Sequence, residues 1–133
     1  MKVLTFFVNN KKYGIGIDKI KTIEKNDRVI TSIPNSKISI RGVVNVRSQI
    51  VPIIDLRYYL DNELSEFNTN QKSIICEEND KLGAILVDET EVIIDISEND
   101  IEDFTTSDFT TSVVNLENNI FMLINLENIL EAI

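Results

Sequence analysis

The sequence predicts a mainly β protein built from two small, linked β-barrels. Short apolar runs rich in strand-forming residues recur along the chain, and polar turn signals separate several of them. Short strands at regular spacing with tight turns are typical of small barrels. The chain also repeats itself: residues 42–60 align without a gap with residues 112–130, which indicates two similar β units.

The first part of the chain predicts a hairpin and then a loop. The apolar runs at 3–8 and 12–17 flank Asn9-Asn10, a turn signal. The apolar pattern continues through Ile20 and Ile23. The pattern does not show whether this segment is a helix or a strand. Proline and small polar residues predict a loop over 32–36.

A second hairpin and a short helix are predicted next. Strands 42–47 and 50–54 are joined tightly around Ser48-Gln49. Because proline cannot donate to a strand ladder, Pro52 predicts an edge strand or a bulge. Asp55 can cap a short helix. The apolar and aromatic residues of that helix are Leu56, Tyr58, Tyr59 and Leu60.

The second half of the chain predicts the same kinds of element. A hairpin turns at Asn79-Asp80, a strand follows at 92–94, and two last strands turn at Asn118-Asn119. The polar stretch 61–71 predicts a mobile loop, and 97–112 predicts a loop with one helical turn. A closing C-terminal helix carries Leu126, Ile129 and Leu130.

Composition narrows the class of protein. A chain of 133 residues can bury a core without disulfides. Its net charge of −9 disfavours binding to nucleic acid and to anionic lipid surfaces. No apolar run approaches the roughly 20 residues needed to span a bilayer, and the first residues do not resemble a signal peptide. We therefore expect a cytoplasmic protein with no direct membrane insertion.

The same composition disfavours catalysis. The absence of histidine removes Ser-His-Asp and Cys-His arrangements and makes a zinc site unexpected. Gly14-Ile15-Gly16 is not followed by a helix pattern, so it is not a dinucleotide motif. We expect no enzyme activity and no cofactor. Carboxylate pairs such as Glu77-Glu78 leave open a Ca²⁺-binding module or a carboxylate-based enzyme. Cys76 lies in a predicted buried strand, so we expect it to be a core residue.

The differences between the two repeats point to a functional residue. The positions that match are apolar or turn-forming, and they describe the fold. Arg47 in the first copy corresponds to Glu117 in the second, and Arg57 corresponds to Glu127. The framework does not require an arginine at position 47, and arginine is enriched at protein interfaces. Arg47 is therefore the strongest candidate, unless it is a surface arginine paired with a nearby carboxylate.

One stretch resembles the core signature of CheW-type coupling domains. It runs from Ile40-Arg41-Gly42-Val43-Val44-Asn45-Val46-Arg47 through Ile50-Val51-Pro52-Ile53-Ile54-Asp55-Leu56-Arg57. The opening strands and the second half of the chain are also similar to that family. The resemblance implies that residues 1–133 form one domain of two intertwined, SH3-like, five-stranded β-barrels around an apolar seam, with a short C-terminal helix.

The resemblance also implies a function. In this family an adaptor links the cytoplasmic tips of chemoreceptors to the regulatory domain of a chemotaxis histidine kinase. A receptor helical hairpin docks in the groove between the barrels, and self-association can extend the array at the inner face of the membrane. A same-fold adaptor in a non-flagellar chemosensory pathway is the alternative. Because the closing helix ends near Ile133, we expect a stand-alone adaptor.

The same resemblance suggests which residues contact partners. They are Arg47, Gly42, Ile20, Thr22, Glu24 and Asn45. Two departures from the family pattern matter. Ser48 stands where members usually have glycine, so we expect a different turn that re-aims Arg47. Thr22 stands where members often have glutamate, with Glu24 one pleat further on.

Overall fold

The computed structural model describes residues 1–26, 30–34, 36–104 and 107–133. It contains eleven strands, two short α-helices and two 3₁₀ turns within that part of the chain. The strands are β1 (Lys2–Val8), β2 (Lys11–Gly16), β3 (Ile20–Lys25), β4 (Ile40–Val46), β5 (Gln49–Asp55), β6 (Lys72–Glu78), β7 (Lys81–Val87), β8 (Glu89–Asp95), β9 (Ile101–Glu102), β10 (Thr110–Leu116) and β11 (Asn119–Ile124). The helices are α1 (Leu56–Asp61) and α2 (Leu126–Glu131), and the 3₁₀ turns are Ile17–Lys19 and Glu98–Asp100. The predicted mainly β class is confirmed.

The strands form two sheets. Sheet A has the order β8-β1-β2-β11-β10-β9, and sheet B has the order β3-β6-β7-β5-β4. Neighbouring strands are antiparallel except for two pairs, β2 with β11 and β5 with β7. Sheet A contains six strands rather than five because the two-residue β9 pairs with β10. The sequence predicted only loop and one helical turn in that region.

The two halves of the chain exchange their first hairpins. The hairpin β1-β2 lies in sheet A with the later strands, whereas β3, β4 and β5 lie in sheet B with the later hairpin β6-β7. The bounds of β4, β5 and α1 recur 70 residues later in β10, β11 and α2, with ends that differ by one residue at β11. Each sheet therefore contains strands from both halves of the chain, and the pair of intertwined subdomains within one domain stays a prediction.

Four tight turns join the hairpins, and each has positive φ at both central residues. They are Asn9-Asn10, Arg47-Ser48, Asn79-Asp80 and Glu117-Asn118. This is the type I′ geometry that suits the twist of a hairpin. Two of the turns lie one residue earlier than the sequence indicated at Ser48-Gln49 and Asn118-Asn119. The expectation that Ser48 gives a different kind of turn is wrong, because its φ of 69° matches the other three turns.

Three apolar clusters hold the sheets. One consists mainly of residues from sheet B, among them Val44, Val51 and Leu86. Another consists mainly of residues from sheet A, among them Val114 and Phe121. The third and largest draws residues from both sheets and both helices. Its fully buried members include Phe6, Ile54, Leu56, Ile74, Ile85 and Ile129. This shared cluster is the apolar seam that the resemblance implied.

Two local expectations about β5 need correction. Pro52 is not on an edge, because β5 lies between β4 and β7, but the predicted alternative of a bulge agrees with the register shift between Ile40 and Gly42 on the paired strand β4. The ladder between β5 and β7 begins only at Ile53, so the missing N–H falls outside it. Asp55 precedes α1 but makes no capping bond. Its buried carboxylate accepts instead from Arg41 Nη1 at 2.6 Å and from the backbone N–H of Ser65 at 2.8 Å.

The predicted loops are irregular, yet they are anchored. Ser65 and Gln71 are buried within 61–71, where the sequence predicted a mobile loop. The predicted helical turn in 97–112 is the 3₁₀ turn Glu98–Asp100. Asn35 of the predicted loop 32–36 lies outside the described residues.

Cys76 is a core residue, as predicted. It is fully buried, and burial raises the pKa of its thiol to about 12. None of the helices in the described ranges is long and apolar enough to cross a membrane.

Candidate partner-binding site

The site is built around the turn between β4 and β5. Arg47 and Ser48 form this turn with φ values of 51° and 69°. Val46 is buried on one side, and the exposed Arg47 follows it directly. Asn45 is exposed, and its Oδ1 accepts a hydrogen bond from the backbone N–H of Ser48 at 3.0 Å. The alternation of buried and exposed residues along β4 thus ends with the exposed side chain of Arg47.

A shallow cleft of 200 Å³ opens beside this turn. All five strands of sheet B contribute to it, including both edge strands β3 and β4. Sheet B therefore curves enough to bring its two edge strands to the same cleft. The cleft is lined by Lys21, Thr22, Val46, Arg47, Gln49, Val51, Ile75, Glu77 and Leu82. The structure thus brings together two of the predicted site residues, Thr22 and Arg47, which are far apart in sequence.

The charge of Arg47 is not neutralised within the described part of the chain. Arg41 Nη1 lies 2.6 Å from Asp55, and Arg57 Nη2 lies 2.6 Å from Glu63. Among the described residues no carboxylate forms an ion pair with Arg47, so its pairing with a nearby carboxylate is not observed. In the same cleft Lys21 Nζ lies 3.6 Å from Glu77. The net charge of the cleft rim is therefore positive near Arg47.

An exposed isoleucine adds apolar surface next to Arg47. Ile50 lies opposite Asn45 in the hairpin register and is 64% exposed. Ile120 occupies the corresponding place on β11 and is 60% exposed. Sequence reasoning treated both residues as strand positions only. Their place two residues after the turn, on the face opposite the buried Val51, was the signal that could have identified them.

The other predicted residues of β3 lie near the cleft without lining it. Ile20, Thr22 and Glu24 alternate as the half-buried positions of this strand. Ile20 packs against the shared cluster at the start of β3. Glu24 lines a separate, very small cavity with Val44 and Val46. Ile20 is therefore partly a core residue, and Glu24 faces the neighbouring edge strand.

Gly42 has a backbone role. Its φ is +140°, and a Cβ added there would lie 2.5 Å from Ile30 Cγ2 and 2.8 Å from the carbonyl oxygen of Thr31. The register of β4 with β5 shifts between Ile40 and Gly42, which marks a bulge. Gly42 is buried, so its side of the strand offers no surface to a partner.

A larger groove of 620 Å³ lies where sheet A meets the 3₁₀ turn that leads to sheet B. Its lining comes from β1, β2, the 3₁₀ turn, β6, β10, β11 and the start of α2. The half-buried Ile17 and the exposed Met1 provide apolar surface there, whereas Ile15 and Leu126 line the groove as buried members of the shared cluster. Lys19 Nζ, 2.5 Å from Glu78, ties the 3₁₀ turn to the end of β6. The groove therefore combines an apolar floor with a charged rim.

The described residues do not suggest a metal site. No group of three or more acidic, cysteine or histidine side chains in this part of the chain is arranged to hold an ion.

Comparison with known proteins decides the family. The model of the CheW-like domain matches residues 2–133. The chain belongs to the CheW-like domain family. Chemotaxis protein CheW of Bacillus subtilis (strain 168) is 35% identical over 101 residues, which cover 76% of this chain and 64% of that protein. Chemotaxis protein CheW of Thermotoga maritima is 28% identical over 138 residues, with 99% of this chain and 89% of that protein covered.

A solved CheW structure has the same fold. The scaffolding protein TtCheW from Thermoanaerobacter tengcongensis superimposes with a TM-score of 0.85 at 27% identity. The match covers 93% of this chain and 88% of the other. The resemblance seen in the sequence is thus confirmed for the family and for the fold.

Proposed function

We propose that this chain is a non-catalytic, cytoplasmic adaptor that couples chemoreceptor tips to a chemotaxis histidine kinase. The observation that carries the proposal is the family match over residues 2–133, together with relatives that are chemotaxis proteins. The related structure is that of a scaffolding protein. A scaffold acts through binding geometry, which agrees with an acidic chain that lacks histidine.

The receptor tip binds in the 620 Å³ groove beside the 3₁₀ turn Ile17–Lys19. An amphipathic helix can place its apolar face on the half-buried Ile17 and the exposed Met1, with its polar residues toward the charged rim. Those charges set orientation and encounter rate more than affinity. Ile20 directly follows the 3₁₀ turn that lines the groove, and it packs against the shared cluster.

The kinase regulatory domain, or a second adaptor, binds at the end of sheet B. Arg47 and Ile50 lie there beside the 200 Å³ cleft, and they combine a charge that has no ion pair among the described residues with exposed apolar surface. Interfaces of this kind use arginine and apolar anchors as their main energetic contacts. Each contact is weak alone, and assembly into an array supplies avidity.

The first test is kinase autophosphorylation with receptor-bearing membranes, with and without this protein, using components from one organism. The proposal predicts a large rise that requires all three components. If the folded protein gives no rise, this receptor and kinase are not its partners. The non-flagellar chemosensory pathway is then the next hypothesis to examine.

A charge reversal tests the site within the same assay. Arg47→Glu should reduce the coupled kinase activity by about tenfold or more, because a central interface arginine contributes on the order of 2 kcal/mol. Lys25→Glu makes the same charge change at an exposed position at the far end of β3 from the cleft, and it serves as the control. Normal coupling by a folded Arg47→Glu variant would show that the site is assigned wrongly.

A further inference from the structure

The turn that carries Arg47 has an unusual sequence for its geometry. Type I′ turns need positive φ at both central residues, and they favour asparagine, aspartate and glycine there. Two of the four described hairpin turns, Asn9-Asn10 and Asn79-Asp80, follow this preference at both positions, and Glu117-Asn118 follows it at the second. Arg47-Ser48 contains none of the favoured residues, although its φ values are the same. This turn therefore depends more than the others on support from outside its two central residues.

Asn45 supplies such support. Its Oδ1 accepts from the backbone N–H of Ser48 at 3.0 Å, a good hydrogen-bond distance. The bond links the last exposed position of β4 to the second central residue of the turn. Short polar side chains often bond to nearby backbone groups in turns and so stabilise them. Because Arg47 lies between the two bonded residues, its φ and the direction of its side chain are fixed by the same contact.

We infer that Asn45 is a positioning residue, which holds the strained turn in its left-handed geometry and so aims Arg47 at the partner. This assigns Asn45 a role through Arg47 rather than a contact of its own. The inference rests on the proposed function only for what Arg47 binds. The geometric part stands on the turn itself.

The geometric part is tested by NMR on the isolated protein. A positive φ brings an amide hydrogen close to the α hydrogen of its own residue, which gives a strong NOE between them. We expect this NOE at Arg47 in the wild type and a clear weakening of it in Asn45→Ala. The matched control is Asn115→Ala, because Asn115 holds the corresponding place on β10 before the turn Glu117-Asn118. That variant should leave the Arg47 signal unchanged.

The binding part uses the regulatory domain of the chemotaxis histidine kinase as the probe. Asn45→Ala should weaken its binding about fivefold, the usual effect of losing one supporting hydrogen bond. Ser48→Gly places the residue that left-handed backbone favours at the second turn position. In the Asn45→Ala background it should restore both the Arg47 signal and most of the affinity. In an Arg47→Ala background, Asn45→Ala should cause no further loss.

The outcomes separate this inference from the proposed function. An unchanged Arg47 NOE in Asn45→Ala overturns the inference, whatever the partners are. An equal loss of affinity from Asn45→Ala with and without Arg47, or no rescue by Ser48→Gly, overturns it as well, since Asn45 would then contact the partner itself. A turn that loosens as expected while Arg47→Ala binds normally counts against the proposed kinase site instead.

Discussion

At Gly42 the backbone takes a φ of +140°, a region that residues with a side chain rarely adopt. The neighbouring segment leaves no room for a Cβ, because Thr31 bridges to Val43 across the bulge. A requirement for glycine here follows from the fold alone. The sequence resemblance placed Gly42 among partner contacts, and its buried position gives a sufficient structural reason for the residue.

Gly42→Ala should lower the free energy of unfolding by about 2–4 kcal/mol, since it adds backbone strain and a clash with a backbone oxygen. Urea denaturation at neutral pH measures this loss. Gly16→Ala is the matched control, because the added Cβ would meet mainly the mobile end of Asp18. Equal effects of the two substitutions would contradict the assigned role of Gly42.

At the scale of the elements, the sequence predicts the hairpins and the helices. It does not predict which hairpin joins which sheet. Alternating apolar residues and Asn-rich turn signals identified the hairpin strands, but they left residues 20–23 unassigned and missed β9. The turns at 47–48 and 117–118 were misplaced by one residue. Composition favours Ser48-Gln49 and Asn118-Asn119, but the register of the paired strands determines which residues form each turn. The exchange of hairpins between the sheets could not be inferred, since local periodicity does not say which strands pair.

Prediction of the site shows the same division. The difference between Arg47 and Glu117 was visible within the sequence. The approach of Thr22 to Arg47 depends on the curvature of sheet B, which joins β3 and β4 at one cleft. The exposure of Ile50 depends on hairpin register. The sequence therefore identifies one residue of the site, Arg47. The other residues become visible only when the strands are paired and the sheet is curved.

The contact between the β1-β2 turn and the end of α1 should depend on pH. Asp61 accepts from Lys11 Nζ at 2.7 Å and from Asn9 Nδ2 at 2.9 Å. Partial burial acts to raise the pKa of this carboxyl, but the hydrogen bonds from Lys11 and Asn9 outweigh it and lower the pKa. The folded pKa then lies below that of the unfolded chain, near 4. The contact stabilises the fold above about pH 4 and is lost as the pH falls through the folded value.

Asp61→Asn should therefore cost about 0.5–1 kcal/mol at pH 7, a small value because Lys11 is exposed. The difference from the wild type should shrink as the pH is lowered toward 3. Chemical denaturation across this range measures it, and Asp103→Asn, which removes an exposed carboxylate, is the control. A difference that stays constant down to pH 2 would show that the charge of Asp61 is not responsible.

For the whole molecule, the shared cluster makes the two sheets one cooperative unit. Phe6 is fully buried there and stacks on Tyr13, with ring centroids 6.2 Å apart. It belongs to sheet A, yet its cluster includes Ile74 and Ile85 of sheet B. Loss of packing at this point should weaken both sheets together.

Phe6→Ala should reduce the free energy of unfolding by about 3–5 kcal/mol. Hydrogen exchange should show equal loss of protection at amides in both interiors, such as Val114 in sheet A and Val44 in sheet B. Phe104→Ala removes an equally large side chain from the surface and should change little, because Phe104 is 61% exposed. Loss confined to sheet A would mean that the sheets open independently.

The exchange of hairpins has a consequence for synthesis on the ribosome. Every strand of sheet B has been made once Val87 is added, but β2 of sheet A pairs with β11, where Tyr13 lies beside Met122. More than a hundred further residues must therefore be synthesised after the first hairpin before all strands of its sheet are present. Pairings so distant along the chain slow folding and leave strand edges open meanwhile. The nascent chain would then pass through a stage in which sheet B is formed and β1-β2 still lacks its partners, which is when a chaperone would have most to bind.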